Sequence, residues 1–124
     1  MPASLDHVGM EVSDFERSRS FYEAVLAPLE LRVLMEPVPG VMGFGSDFPF
    51  FWISERGRDA VKGAHVAFRV RSREAVDAFH AAALAAGGTD NGEPGLREIY
   101  HPGYYGAFVL DPDGNNIEAV NHTF

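Results

Sequence analysis

Apolar residues alternate with small or polar ones in two similar stretches, Leu5-Asp6-His7-Val8-Gly9-Met10-Glu11-Val12 and Gly63-Ala64-His65-Val66-Ala67-Phe68-Arg69-Val70. This period of two predicts strands that bury Val8, Met10 and Val12 in one case, and Val66, Phe68 and Val70 in the other. The opposite faces then carry His7, Gly9 and Glu11, and His65, Ala67 and Arg69. A helical pattern follows each strand. In the first, Ser18, Phe21, Tyr22, Val25, Leu26 and Leu29 recur behind Ser13-Asp14-Phe15-Glu16. That tetrapeptide has the form of a capping box, with Ser13 as N-cap and Glu16 at N3, and Pro28 should end the helix near Ala27. In the second, a helix from about Ser72 places Val76, Phe79, Ala83 and Ala86 on one side and stops at Gly87-Gly88.

Three further strands are expected after each helix. Leu31 to Met35, Val41 to Gly45 and Phe50 to Ser54 are separated by Pro37-Val38-Pro39-Gly40 and Ser46-Asp47-Phe48-Pro49. Leu96 to Tyr100, Tyr104 to Leu110 and Asn116 to Asn121 form the second set, and the last two flank an Asp111-Pro112-Asp113-Gly114-Asn115 turn. At an offset of 58 residues (65 − 7), His7 matches His65, Val12 Val70, Phe21 Phe79 and Leu26 Leu84. One supersecondary unit is therefore used twice. The expected fold class is α+β: two βαβββ modules, approximately 1–58 and 59–124 of a single domain, forming a curved, incomplete barrel with helices outside. Glu55 to Lys62 reads as a charged connector.

Strand parity after the turn sets Ile117 and Ala119 on one face and Glu118, Val120 and His122 on the other. A carboxylate amid apolar neighbours requires a partner or a metal. His7, His65 and Glu118 are expected on one concave face between the modules, and two imidazoles with one carboxylate suit a divalent metal with open positions. Singly, each has a plainer reading: a strand-end histidine bonded to backbone, or a Glu118–Arg69 ion pair. Pairing with Arg69 is an equal alternative for Glu11, and His80 and His122 read as bystanders. Phe50 and Trp52 have the parity to line the cavity, with Arg69 and Tyr100 as further pocket candidates. In the His101-Pro102-Gly103-Tyr104-Tyr105 loop, His101 or Tyr104 can serve as acid or base, against the plainer reading of an ordinary turn.

Composition narrows the function. The 124 residues, 46% hydrophobic, suffice for one core, and a net charge of −8 argues against nucleic acid or an anionic membrane as partner. With no Cys there are no disulfides and no thiolate ligands. No apolar run reaches the ~20 residues that span a bilayer, and the N-terminus lacks the features of a secretory signal. A cytoplasmic protein is the expectation.

The paired modules, the opening Asp6-His7-Val8-Gly9 and the ending Leu110-Asp111-Pro112-Asp113-Gly114-Asn115-Asn116-Ile117-Glu118 resemble the vicinal oxygen chelate superfamily. That group includes glyoxalase I, bleomycin-resistance proteins, fosfomycin-resistance enzymes and extradiol dioxygenases. The resemblance implies metal ligation by His7, His65 and Glu118; the residues themselves offer Glu118, Tyr104 and His101 as catalytic candidates beside that metal. The metal it implies is a divalent Fe, Zn, Ni or Mn ion acting as Lewis acid on a small molecule with vicinal oxygens. Glyoxalase-like lyase or isomerase chemistry and dioxygenase chemistry both fit, and the alternative is a bleomycin-resistance-like protein that sequesters a drug without catalysis. Glyoxalase I adds a fourth ligand, a Glu on the last strand of the first module. Here Trp52 occupies the position matching Glu118. A homodimer is expected, because open half-barrels commonly pair or exchange modules.

Overall fold

The computed structural model describes residues 1–124. Strand β1 (Val8–Glu11) leads into helix α1 (Phe15–Leu26), a 3-10 turn at Ala27–Leu29, then β2 (Arg32–Val38), β3 (Val41–Gly45) and β4 (Pro49–Ser54). The second unit repeats the order with β5 (His65–Arg69), α2 (Arg73–Ala85), β6 (Thr89–Leu96), β7 (Tyr104–Leu110) and β8 (Asn116–His122). Each unit forms its own four-stranded mixed sheet, ordered β1-β4-β3-β2 and β5-β8-β7-β6. The first and last strands of a unit pair in parallel, and neither sheet closes. This is the α+β, twice-used βαβββ fold expected from the repeat.

A single cluster of 19 buried hydrophobic residues draws on both sheets and both helices, so the two units share one core. Met10 of β1, Val12 just past its end, and Ile117 and Ala119 of β8 face it, as their alternation requires. From the helices come Phe21, Tyr22 and Val25 of α1, the last four and three residues beyond the first two, and Val76, Phe79 and Ala83 of α2, three and four residues apart. Phe51 of β4 joins the units, its ring 4.9 Å from Tyr22 and 5.4 Å from Phe68 of β5. Each such fully buried aromatic contributes about 2–3 kcal/mol through removal of apolar surface from water. The helices cover the apolar sheet faces and touch each other. The opposite faces, with His7, Gly9 and Glu11 on one and His65, Ala67 and Arg69 on the other, point away from this core.

Two expectations need correction. Asp14, not Ser13, caps α1 by accepting the Arg17 N–H at 3.2 Å. Ser13 instead donates its hydroxyl to Asp113 Oδ1 at 2.5 Å and its N–H to Asp113 Oδ2 at 3.1 Å, 100 residues along the chain. The sixth strand is Thr89–Leu96 rather than Leu96 to Tyr100. Its Gly92, Pro94 and Gly95 are poor strand formers, but it is an edge strand whose register shifts at Asp90/Gly92 and Gly92/Gly95 absorb them. The 97–100 segment turns instead, with the Tyr100 N–H donated to the Arg97 carbonyl and Ile99 left 87% exposed. Ser72 does cap α2, and Gly87, at φ 92°, follows its end.

Asp111 lies at the junction of the two units. Its carboxylate accepts the Tyr22 hydroxyl at 2.5 Å and the N–H groups of Asp113 and Asn115 at 2.9 Å each. Burial first, and then the Asp111 charge, hold the Tyr22 phenol well above its usual range. Asp111→Ala should lower stability in urea unfolding by about 2–4 kcal/mol, because several buried donors lose their acceptor at once. Tyr22→Phe should cost about 1–2 kcal/mol, since it removes one donor and leaves the turn intact.

Candidate functional site

The Asp111–Asn115 turn sets the site through its last residue. Asn115 accepts the Ala64 N–H at 3.0 Å and donates to the Val61 carbonyl at 2.9 Å, while the Asn116 N–H reaches the Ala64 carbonyl at 2.8 Å. These bonds fasten the start of β5 beside the start of β8, in the register His65↔Asn116 and Ala67↔Glu118. Parity then puts His65 and Glu118 on the same face as diagonal neighbours. His65 Nε2 lies 2.8 Å from Glu118 Oε1, with the imidazole 53% exposed and the carboxylate 1% exposed. The other carboxylate oxygen, Oε2, accepts the Tyr104 hydroxyl. Gly106 makes room for this: a Cβ there would lie 3.3 Å from Oε2 and 3.2 Å from the Tyr104 ring. Burial, followed by the bond to Glu118, raises the Tyr104 phenol above its ordinary range, so it keeps its proton at neutral pH. No Arg or Lys pairs with Glu118, and its contacts are an imidazole and a phenol.

His7 stands apart. Its Nδ1 is 2.7 Å from Asp6 Oδ1, with both side chains mostly exposed at 60% and 81%. No group of three or more His, Asp or Glu side chains is placed to hold a metal within one chain. His65 and Glu118 are brought together; His7 is not brought to them. The anticipated central cavity also takes another form. A cavity of ≈ 500 Å³ follows the open face of β1 past His7, Gly9, Glu11, Trp52, Arg56 and Arg58. A smaller apolar one of ≈ 180 Å³ holds Phe48, Phe50, Val66 and Phe68 and shares His7 with it. His65 and Glu118 line neither.

Trp52 opposes Gly9 as Glu118 opposes Ala67, and 9 + 58 = 67, so Trp52 is the first-unit counterpart of Glu118. The first unit thus has an indole where the second has a carboxylate. Arg69 pairs with neither Glu118 nor Glu11; it borders surface depressions beside Glu30, Asp47 and His122, away from Trp52 and Phe50. Tyr100 is 60% exposed and packs on the Tyr104 ring at 4.8 Å. His101 accepts the Gly103 N–H at Nδ1, so its Nε2–H is donated to His122 Nδ1 at 2.9 Å. Its ring abuts Tyr104 at 5.6 Å, and its hydrogen bonds go to His122 and Gly103 rather than to Glu118. His80 is buried against Asp90 at 2.9 Å.

The sequence reading missed Arg56 and Arg58, which it left in a charged connector. Glu11, 5% exposed, accepts the N–H groups of Arg56 and Arg58, the Arg58 guanidinium at 3.1 Å and the Ser54 hydroxyl at 3.1 Å. The Arg56 N–H, with the Arg58 and Ser54 donors behind it, holds the Glu11 carboxyl at about 2 against a usual 4.5, and burial opposes them. The available signal was a carboxylate on a half-buried strand face followed, just past β4, by two arginines at alternate positions.

A match to known proteins now bears on these units. The model of the Glyoxalase/Bleomycin resistance protein/Dioxygenase superfamily matches residues 4–119. The chain belongs to that superfamily. A glyoxalase/bleomycin resistance protein from Albidiferax ferrireducens T118 is 35% identical with a TM-score of 0.84, covering 94% of this chain and 98% of its own. Two further structures share the fold at 16% identity. Lactoylglutathione lyase from Agrobacterium tumefaciens has a TM-score of 0.70 and coverage of 97% and 94%. TioX from Micromonospora sp. ML1 has a TM-score of 0.73 and coverage of 98% and 100%. No curated protein matches the chain. No helix is long and apolar enough to cross a membrane.

Because the Glu11 pKa is depressed in the folded chain, its stabilisation is complete above about 4.5 and is lost as pH falls towards about 2. Urea midpoints should therefore drop across that window. Glu11→Gln should lower the midpoint at pH 7 and flatten the acid slope.

Proposed function

We propose that the protein is a divalent-metal enzyme acting on a small molecule with two adjacent oxygens, its site completed between two copies. The observation that carries this is the His65–Glu118 pair. A carboxylate 1% exposed, lacking any Arg or Lys partner, meets an imidazole nitrogen at 2.8 Å on an open sheet face. Buried carboxylate charge is costly unless paired or bound to a cation, and one O donor beside one N donor suits Fe, Zn, Ni or Mn. Within one chain this donor set has two members. The exposed His7 supplies the third from a second copy, which makes the homodimer part of the site.

When bound, the metal supplies Lewis-acid polarisation of the substrate's vicinal oxygens. The chain's own residues do the rest. Tyr104, protonated at neutral pH, donates to Glu118 Oε2 and directs Oε1 towards His65. Glu118 can take a proton from bound substrate once Tyr104 has oriented it. His101 and His122, bonded to each other, brace the Tyr104 ring. The matching position to Glu118 holds Trp52, so the fourth carboxylate ligand of glyoxalase I has no counterpart. That favours a three-ligand site, with another lyase, isomerase or dioxygenase reaction, over glyoxalase I itself. A second reading, drug sequestration without turnover, draws on the ≈ 500 Å³ cavity, which neither His65 nor Glu118 lines.

Elemental analysis tests the first reading. The wild type should take up metal stoichiometrically, and His7→Ala and Glu118→Ala should each lose it. Mixing the two variants under exchange conditions should restore roughly a quarter of the sites by statistical pairing, since one mixed interface keeps all three ligands. Full metal content in both single variants, or no recovery on mixing, would sink the shared site.

A further inference from the structure

The ≈ 500 Å³ cavity on the first unit has a built interior that the metal-ligand pair does not explain. Its floor is Trp52. The indole lies across Gly43, where a Cβ would fall 2.9 Å from two indole carbons and 2.9 Å from Pro49 Cβ. Glycine at that position is what lets the ring settle on the sheet, with Pro49 beside it. The indole N–H has no partner in the chain, and the ring stays only part-buried. A held, half-exposed indole with a free donor is a stacking surface for a planar ring.

The two ends of the cavity differ. His7, just before β1, and Glu11 at its end are four residues apart, about 13 Å at ~3.3 Å per extended residue, and Gly9 opposite Trp52 lies midway. At the Glu11 end every acceptor is used. Both carboxylate oxygens are occupied by two N–H groups, the Arg58 guanidinium and the Ser54 hydroxyl. Glu11 thereby holds the 56–58 segment over the cavity with its charge matched by Arg58. Arg56 borders the same space, and its guanidinium makes no ion pair or hydrogen bond within the chain. That end therefore offers donors and uncompensated positive charge. At the His7 end, Asp6 is turned to His7 and mostly hydrated.

From this arrangement we infer that the cavity binds a planar aromatic acid, its ring stacked on Trp52 and its carboxylate or other anionic group directed to Arg56. The far edge of the ring then points to His7. The binding rests on the cavity's own lining and goes beyond the metal reading; if a second copy brings the proposed metal pair to His7, it also names that site's substrate class. A guanidinium suits the anion because its planar fork matches a carboxylate's two oxygens.

The chain has a single Trp, so quenching of its fluorescence reports on Trp52 directly. Chelator-treated protein titrated with 2-naphthoate should show saturable quenching, with calorimetric affinity about ten-fold or more above that for 2-naphthamide, which keeps the ring and drops the charge. Cyclohexanecarboxylate, which keeps the charge without a planar ring, should bind more weakly than 2-naphthoate. Arg56→Gln should bring 2-naphthoate down to the level of the amide and leave the amide unchanged. Gly43→Ala should weaken both aromatic probes, with circular dichroism confirming the fold. Equal or tighter binding of the amide or of 2-naphthylmethylammonium would overturn the inference, as would an Arg56→Gln variant that binds 2-naphthoate normally. Metal content of the untreated samples separates the two proposals. Metal uptake without naphthoate binding ends this inference alone; naphthoate binding without metal uptake sustains it and ends the metalloenzyme reading.

Discussion

The structure depends on one buried carboxylate and the amide that answers it. Asp111 gathers the Tyr22 hydroxyl from α1 and the N–H groups of its own turn, while Asn115 ties that turn to the strand opening the second unit. A donor left unpaired at this depth would cost about 1–3 kcal/mol, so the bonds form as a set. Their consequence is geometric. They hold the first unit's helix against the second unit's sheet and align β5 with β8, and that alignment places His65 beside Glu118. The Asp-Pro-Asp-Gly-Asn turn does more than reverse the chain.

Two copies of one scaffold have been given different tasks. On the second unit's open face, Glu118, His65 and Tyr104 cluster around a buried charge. On the first, the equivalent strand position is Trp52, laid across Gly43, and the only buried carboxylate, Glu11, is fully occupied by donors. The repeat supplies the same strand pairing to both. The difference comes from a few outward side chains, which stand on the sheet faces turned away from the shared core.

Much of this was legible in the residues. Strand β3 and strand β7 lie where alternation and turn chemistry predicted them, and the helix start near Ser72 and the Pro28 stop hold. The parity that put Glu118 opposite Ile117 and Ala119 also holds, because side-chain direction in a strand is a local property. Local rules failed where a distant partner outbid them. Asp113 drew Ser13 out of its capping role, and pairing with β7 made a strand of Thr89–Leu96 against its Gly and Pro content.

Sequence alone determined the doubled βαβββ order, the face on which each polar side chain stands and the superfamily, since these follow from periodicity and from a short, distinctive ending. Tertiary structure decided the partners. Parity made Glu11, Arg69, His7 and Glu118 candidates for one another, but a hydrogen bond needs a separation near 3 Å, and that is set by how whole sheets pack. Glu11 went to Arg58, Arg69 to neither carboxylate, Glu118 to His65 and Tyr104, and His7 to Asp6 at the rim of a cavity of its own.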